Sequence, residues 1–367
     1  MALIEFDRVG KAFGSVQALR DVSFRCSDGD ILVVFGPPSS GKSTLLRAIA
    51  GLEAFDAGTI RFDGQPQNDI PTHRRNVAMA FESYALYPHF TVRKNMEFPL
   101  RAPGIRVTAG ERATRLAAIA ELLAIPHLLD RYPHQLSGGQ RQRVSLGRAL
   151  IRTANVTLLD EPLAHLDAQL RSALRGDLRV FLKDKKATTL YATPDFQEGF
   201  GIANRVLVLI EGRIHQIGTP EDVFARPADA HVARLVGDPA MNLIPVGQDG
   251  VMQLGTVRVA TPLGGGHGPA AAQVGFRPGG VVLTSGDVAA GPTGRVVLIE
   301  RIGSSSVLDV DVGGATVAVK VDSPIAQHRI GDRVGISFDW RNAHLFGVDA
   351  GRLPDAAHAA LAAGASS

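Results

Sequence analysis

Gly36-Pro37-Pro38-Ser39-Ser40-Gly41-Lys42-Ser43-Thr44 follows an unbroken apolar run, Ile31-Leu32-Val33-Val34-Phe35, and leads into Leu45-Leu46-Arg47-Ala48-Ile49, which has helical periodicity. A strand, a glycine-rich loop and a helix in that order leave few folds open. In this context the GxxxxGK[ST] spacing turns successive backbone N–H groups and a helix N-terminus toward one point, a cradle for nucleotide phosphates. Lys42 is spaced to reach the β/γ oxygens and the Ser43 hydroxyl to ligate Mg2+. A rarer segment, Leu136-Ser137-Gly138-Gly139-Gln140, comes later, followed by Val156-Thr157-Leu158-Leu159-Asp160-Glu161-Pro162. Asp160 there ends an apolar strand, which puts its carboxylate at the C-terminal edge of a sheet, where a phosphate-bound Mg2+ lies.

A chain of 367 residues is too long for one small core and suggests two domains. Its net charge of +3 gives no reason to expect nucleic acid as a partner. The single cysteine, Cys26, excludes an internal disulfide and fits a reducing cytosol. No window approaches the ~18 apolar residues of a membrane helix. Acidic Glu5 and Asp7 stand where a secretory signal would be basic. A cytoplasmic protein, tied to a membrane only through partners, is the expectation.

Short apolar runs bounded by turn residues predict strands around Ile4–Val9, Ala18–Phe24, Ile31–Phe35, Thr59–Phe62 and Val77–Phe81. The stretch 91–151 reads as mainly helical, with helices over Arg112–Leu123 and Gly139–Leu150. A helix over Asp167–Lys183 and strands over Thr188–Ala192 and Arg205–Ile210 follow. Strand–helix alternation with continuously apolar strands argues for an α/β core around a parallel sheet. Beyond about Gly237 the pattern changes to Val/Gly-rich runs such as Arg295–Ile299 and Ala315–Val319, separated by turns, an all-β second domain of small-barrel type. Expected boundaries are 1–236 with a helical subdomain at about 88–152, then 237–350, then an Ala-rich tail, 351–367.

The three motifs in this order resemble the ATP-binding-cassette (ABC) ATPases, over about Leu3–Val236. The resemblance implies a P-loop ABC ATPase domain with ATP and Mg2+ as ligands. ATP would be held by Gly36, Pro37, Pro38, Ser39, Ser40, Gly41, Lys42, Ser43 and Thr44. Phe13 would stack on the adenine by its position, although an isolated aromatic in a turn is more often core filler. Ser43, Glu82 and Asp160 would be the metal ligands, and Glu161 would polarise the attacking water. Two cassettes of this family pair head to tail, so Ser137, Gly138, Gly139 and Gln140 would close over the ATP of a second subunit. Arg131 and His134 resemble residues that also reach across, and Asp167 resembles part of the loop linking the two sites.

The departures from the family carry information of their own. Glu82 stands where the family has Gln, keeping oxygen ligands but losing the amide donor and adding a negative charge beside a triphosphate. Pro194 stands where the family has a His that contacts the γ-phosphate, and proline has neither imidazole nor N–H. Pro38 removes an amide and a hydroxyl from the phosphate loop. These changes converge on this chain's own site, while the residues offered to a partner are intact. The expectation is the weakly hydrolysing half of a pair of unlike ATPases. A fully active homodimer and a non-hydrolysing pseudo-ATPase are the alternatives.

Asp238–Asn242, Val274–Pro278, Phe338–Trp340 and Leu345-Phe346 resemble the OB-like regulatory domain of carbohydrate-import ATPases of the maltose and glycerol-3-phosphate type. Glu82–His89 is close to the same branch, where it borders the groove for a permease helix. Tyr84, Leu86, Tyr87 and Phe90 would line that groove or fill core. The partners implied are a second ATPase subunit, two transmembrane permease subunits and an extracytoplasmic substrate-binding protein, at the cytoplasmic face of a bacterial inner membrane. DNA-repair and translation ATPases are disfavoured for want of a coiled-coil insertion or second cassette. Exporters are disfavoured by the β domain. The cargo, whether sugar, polyol, glycerol or glycerol phosphate, is not encoded here.

Overall fold

The computed structural model describes residues 2–102, 105–262, 272–284, 291–322, 328–354 and 357–358. The chain forms two compact units, Met1–Glu221 and Asp222–Ser367.

In the first unit β1 (Ile4–Phe13), β2 (Val16–Cys26) and β3 (Ile31–Phe35) precede α1 (Lys42–Ala50). Then come β4 (Ala57–Phe62), β5 (Gln65–Pro66), β6 (Val77–Ala80), α2 (Val92–Glu97), α3 (Ala109–Leu122) and α4 (Gly138–Leu150). β7 (Val156–Asp160), α5 (Ala168–Lys185), β8 (Thr188–Thr193), α6 (Phe196–Ile202), β9 (Arg205–Ile210) and β10 (Arg213–Gly218) complete it. The strands make two sheets. One has the order β10-β9-β3-β8-β7-β6 and is parallel except for β10. The other, β2-β1-β4-β5, is antiparallel, an element the alternating pattern did not announce.

β3, β7 and β8 are buried along their whole length, which is why β3 reads as an unbroken apolar run and why the polar residues of β7 and β8 are almost all threonines. The parallel register matters most for function. Phe35 pairs with Thr193, Asp160 with Ala192 and Ala80 with Leu159, so four strands end level. The segments that follow them, starting at Gly36, Phe81, Glu161 and Pro194, therefore leave one edge of the sheet, the place where open α/β sheets bind ligands.

The second unit holds the helices α7 (Pro220–Ala225, entering from the first unit) and α8 (Ala230–Leu235), then β11 (Asn242–Pro245), β12 (Val251–Leu254) and β13 (Val257–Ala260). β14 (Gln273–Phe276), β15 (Val281–Thr284), β16 (Thr293–Ile302), β17 (Ser305–Val312), β18 (Ala315–Val321), β19 (Arg333–Phe338) and β20 (His344–Phe346) follow. Among the described residues the strands form a five-stranded sheet, β15-β19-β16-β17-β18, a three-stranded sheet, β11-β14-β20, and the hairpin β12-β13. One apolar core takes residues from all three, among them Met252, Phe276, Leu308 and Leu345. The units divide earlier than the boundary at 236/237 expected from composition. The reason is packing: Ala230 and Ala233 of α8 cluster with Met241 and Phe346 of the β region. Most of the Ala-rich tail, 359–367, lies outside the described residues. No described helix is long and apolar enough to cross a membrane.

Candidate functional site

The phosphate loop is held in shape by two glycines that cannot be replaced. A Cβ on Gly36 would stand 2.0 Å from the Leu209 carbonyl oxygen, and one on Gly41 2.3 Å from that of Ala18. Gly41 is also left-handed, with φ of 104°, and serves as the N-cap of α1 without any side-chain cap. The first amides of α1 are therefore left for a ligand. Lys42 is buried and its Nζ donates to the carbonyls of Gly36 (3.0 Å) and Pro37 (2.9 Å).

Ser43 Oγ donates to Asp160 Oδ1 at 3.0 Å, joining the start of α1 to the end of β7. Asp160 is 1 % exposed, and among the described residues its Oδ2 and the Ser40 hydroxyl have no hydrogen-bond partner. A buried carboxylate oxygen without a protein partner and the Ser43 hydroxyl beside Asp160 make an all-oxygen donor pair whose chemistry fits a hard cation such as Mg2+. Burial pushes the Asp160 carboxyl up, with the Ser43 hydroxyl opposing it. Glu161, next along, has φ of 45° and lies 3.9 Å from Lys42 Nζ. Burial raises its carboxyl too, Lys42 opposes this, and Glu82 and Asp160 add to the rise. Lys42 is lowered by burial against the pull of Glu161, Asp160 and Glu82.

These groups face a cavity of 470 Å3 lined by Phe13, Val16, Lys42, Ser43, Glu82 and Glu161, with Pro38, Ser39, Gly41 and Thr44 on its loop side. Phe13 is 48 % exposed and carries the Lys11 ammonium 4.8 Å from its ring centroid, so it is not core filler. Gly36, Pro37, Ser40 and Asp160 support the cavity without lining it. Pro194 does not line it either: the residue is exposed, directly after the buried Thr193. The next residue, Asp195, donates its N–H to Thr193 Oγ1 (3.1 Å) and caps α6 by accepting from the Glu198 N–H (2.9 Å).

Ser137, Gly138, Gly139 and Gln140 stand elsewhere on the unit, at the start of α4, and none lines this cavity. Ser137 Oγ accepts from the Gln140 N–H (3.3 Å) while Gln140 Oε1 accepts from the Ser137 N–H (2.9 Å), a reciprocal cap. Gly139 is pressed on this chain's own backbone, 3.0 Å from the His165 oxygen if it carried a Cβ, but beside Gly138 there is open space. Arg131 and His134 are exposed nearby in sequence, His134 stacked on Tyr132 with centroids 5.8 Å apart. Asp167 caps α5, accepting from the Leu170 N–H at 2.9 Å.

Two residues that position this machinery escaped the sequence reading. Gln142 is buried, donates to the Glu161 carbonyl (2.9 Å) and accepts from the His165 N–H (2.9 Å), tying α4 to the backbone of the Glu161 turn. Its spacing to buried Ser145, Leu146 and Ala149 could have marked it as a polar group on the inner face of α4. Arg148 donates to the carbonyls of Ala85 (2.7 Å) and Tyr84 (3.3 Å), both left-handed residues of the loop after Glu82. Tyr87 and Phe90 of the same loop form an aromatic cluster with Phe98, just past α2, and Tyr87 is 37 % and Phe98 43 % exposed.

Residues 19–164 match the ABC transporter family and residues 274–346 the TOBE domain. The chain is 39% identical to the sn-glycerol-3-phosphate import ATP-binding protein UgpC 2 of Rhizobium johnstonii, across 97% of this chain and 100% of that protein. It is also 39% identical to the protein of the same name, UgpC, of Cupriavidus metallidurans, with the same coverage of 97% and 100%. A putative ATP-binding protein of Brucella suis is 38% identical over 94% of this chain and 97% of its own length. Among solved structures, a dimeric bacterial ABC transporter cassette superposes with a TM-score of 0.55 at 26% identity, covering 59% of this chain and 98% of that one. A post-hydrolysis dimer of an ATP-binding cassette with ADP and Pi gives 0.54, at the same identity and coverage, 26%, 59% and 98%.

Proposed function

The chain belongs to the ATP-binding proteins of the ABC transporter family, in the carbohydrate-importer branch with a TOBE domain, and on that premise we propose that it powers uptake of a sugar, polyol, glycerol or glycerol phosphate. The relatives named for sn-glycerol-3-phosphate import favour glycerol phosphate among these. The observation that carries the reading is the cavity at the strand ends, where a buried ammonium, free helix amides and an exposed aromatic ring face one space.

In this reading the amides of α1 and Lys42 hold the outer phosphates of ATP, and Phe13 stacks on the base. Ser43 and Asp160 would hold Mg2+, with Glu82 beside them, and that ion when bound neutralises charge between the outer phosphates. Glu161, its carboxyl raised by burial, orients a water and accepts its proton. A neighbouring cassette closes the site with its own Ser137–Gln140 equivalent, as this chain's Ser137, Gly138, Gly139 and Gln140 do for the neighbour, helped by Arg131, His134 and Asp167. Closure of two cassettes on ATP moves two permease subunits, which take cargo from an extracytoplasmic binding protein. Exposed Tyr87 and Phe98, backed by half-buried Phe90, are a fitting apolar contact for a permease helix. The chain would then sit at the cytoplasmic face of the inner membrane, held there by the permeases.

We further propose that this chain's own site turns over slowly and that its companion is a different ATPase. Glu82 adds a third carboxylate around Lys42, and at position 194 there is no donor for the γ-phosphate. ATP binding needs charge and amides, both present; hydrolysis also needs donors in the transition state, and one is gone. The purified chain with Mg-ATP tests this: ATP should bind, and turnover should be low and barely changed by Glu161→Gln. Fast turnover abolished by Glu161→Gln would overturn the slow-site reading and leave the import reading standing. Failure to bind ATP would overturn both.

A further inference from the structure

A single guanidinium joins two of the segments that leave the ligand-binding edge of the parallel sheet. Arg171, near the start of α5, donates from Nη2 to the carbonyls of Ala164 (3.2 Å) and Leu166 (2.9 Å), in the turn that follows β7. Its Nη1 donates to Asp195 Oδ2 at 3.5 Å, in the corner between β8 and α6. The turn begins at Glu161, which lines the cavity and whose carbonyl accepts from the Ala164 N–H (3.3 Å). It ends at Leu166, directly before Asp167. The corner begins at Pro194, and Asp195 caps α6.

The rest of α5 shows how firmly this contact is held. Arg171, Arg175 and Arg179 recur every four residues and so share one face of the helix. Arg175 Nη1 donates to the Gln197 carbonyl (2.9 Å) and Arg179 Nη1 to that of Gly201 (2.8 Å), so the row fastens α5 along α6. The first arginine of the row also reaches back to the turn after β7. Charge adds a reason for it. Asp195 accepts from the Glu198 N–H, and Glu198, only 2 % exposed, accepts from the buried Tyr191 hydroxyl (2.6 Å). Burial raises the Glu198 carboxyl, Asp195 adds to the rise and Arg171 opposes it. Removing Arg171 takes away a positive charge that offsets the repulsion between these two carboxylates. It also leaves the carbonyls of Ala164 and Leu166 without this donor. A lysine is no equal substitute, because meeting one carboxylate and two carbonyls in fixed directions takes a flat fork of N–H groups.

We infer, resting on the ATPase reading, that Arg171 is a positioning residue: a clamp that makes the turn 161–166 and the β8–α6 corner move as one. At one end of that turn Glu161 faces this chain's own ATP, and just past the other end Asp167 faces the companion's. Pro194 does not line the cavity, so occupancy there is passed to the corner through the turn and Arg171. The clamp therefore ties the posture of Asp167 toward the companion to whether this chain's own cradle is filled.

The test is hydrogen–deuterium exchange of the full-length chain read by mass spectrometry, with and without Mg2+ and the non-hydrolysable analogue AMP-PNP. Three stretches are followed: the phosphate loop (36–44), the turn (161–170) and the corner (194–202). In the wild-type chain the analogue should slow exchange in all three. Arg171→Ala should speed exchange of the turn about tenfold and abolish the response of the corner, while 36–44 stays protected. Arg171→Lys, which keeps the charge without the fork, should recover part of the corner's response. A merely structural role would loosen turn and corner by the same factor with and without nucleotide. Asp195→Asn keeps a good helix cap and removes only the charge, so it decides the matter should Arg171→Ala not fold; it should cut the corner's response by about half. An undiminished corner response in either variant, or a silent turn and corner in a wild-type chain whose 36–44 is protected, overturns the clamp and leaves the nucleotide reading standing. No protection at 36–44 overturns that reading and the clamp with it.

Discussion

Around Lys42 three carboxylates, Asp160, Glu161 and Glu82, all act on a single buried ammonium, and the strand beside it runs out into a proline. Around Ser137 the helix start keeps every feature of its motif: the reciprocal Ser137–Gln140 cap, Gly139 packed against its own backbone and Gly138 bare to open space. On the proposed function the first region would bind a ligand and also stabilise a transition state, whereas the second would only present a helix N-terminus and a flat glycine face to a neighbour. A region with two tasks can lose one and keep the other. That is the reading of Pro194 and Glu82: holding ATP survives, and fast hydrolysis does not.

The sharpest way to break this contrast is to restore the missing donor. Pro194→His should raise steady-state turnover about 10²-fold, the usual worth of one transition-state donor. Pro194→Ala, which returns the N–H without the imidazole, should gain much less. If Pro194→His leaves turnover unchanged while ATP still binds, the proline is not what limits the site. Glu82→Gln is a smaller step. Glu82 is exposed, so solvent screens its repulsion of the triphosphate, and removing the charge should tighten ATP by only about three- to tenfold. A fluorescent-nucleotide titration should find the larger gain without Mg2+. Equal affinity for the two proteins under both conditions would mean that Glu82 does not face the phosphates.

Much of the contrast was legible in the sequence, because each motif carries its own local context. An apolar run, a glycine loop and a helical stripe identify the cradle of Gly36–Thr44 without any tertiary information, and Asp160 declares itself by ending a buried strand. Pro194 could be singled out because the run Thr188–Thr193 fixes its place after β8. What could not be read depends on long-range pairing. The antiparallel sheet β2-β1-β4-β5 has a register broken by bulges near the left-handed residues Arg8 and Asp21, which no alternation rule foretells. Gln142 and Arg148 act on backbone 19 and 63 residues away. Short helices such as α8 carry too few residues to reveal which unit they pack on, and the compact units divide at 221/222 where composition alone suggested 236/237.

The finest separation concerns the region that kept its pattern, where a helix cap and an interface share the same residues. Ser137→Ala removes the acceptor for the Gln140 N–H and should cost about 1 kcal/mol of stability, measured by denaturant unfolding. Gly138→Ala should do the opposite. The new Cβ meets nothing within 4 Å, and alanine is the better helix former, so the isolated chain should be unharmed or stabilised by up to about 1 kcal/mol. Yet that methyl group would project where a neighbour's nucleotide must approach, and ATP turnover by the companion cassette should fall. A purely structural role for the motif ties loss of companion activity to loss of stability, which Ser137→Ala satisfies and Gly138→Ala does not. If Gly138→Ala leaves companion turnover intact, then α4 opens on no one, and the intact half of the comparison is only a well-capped helix.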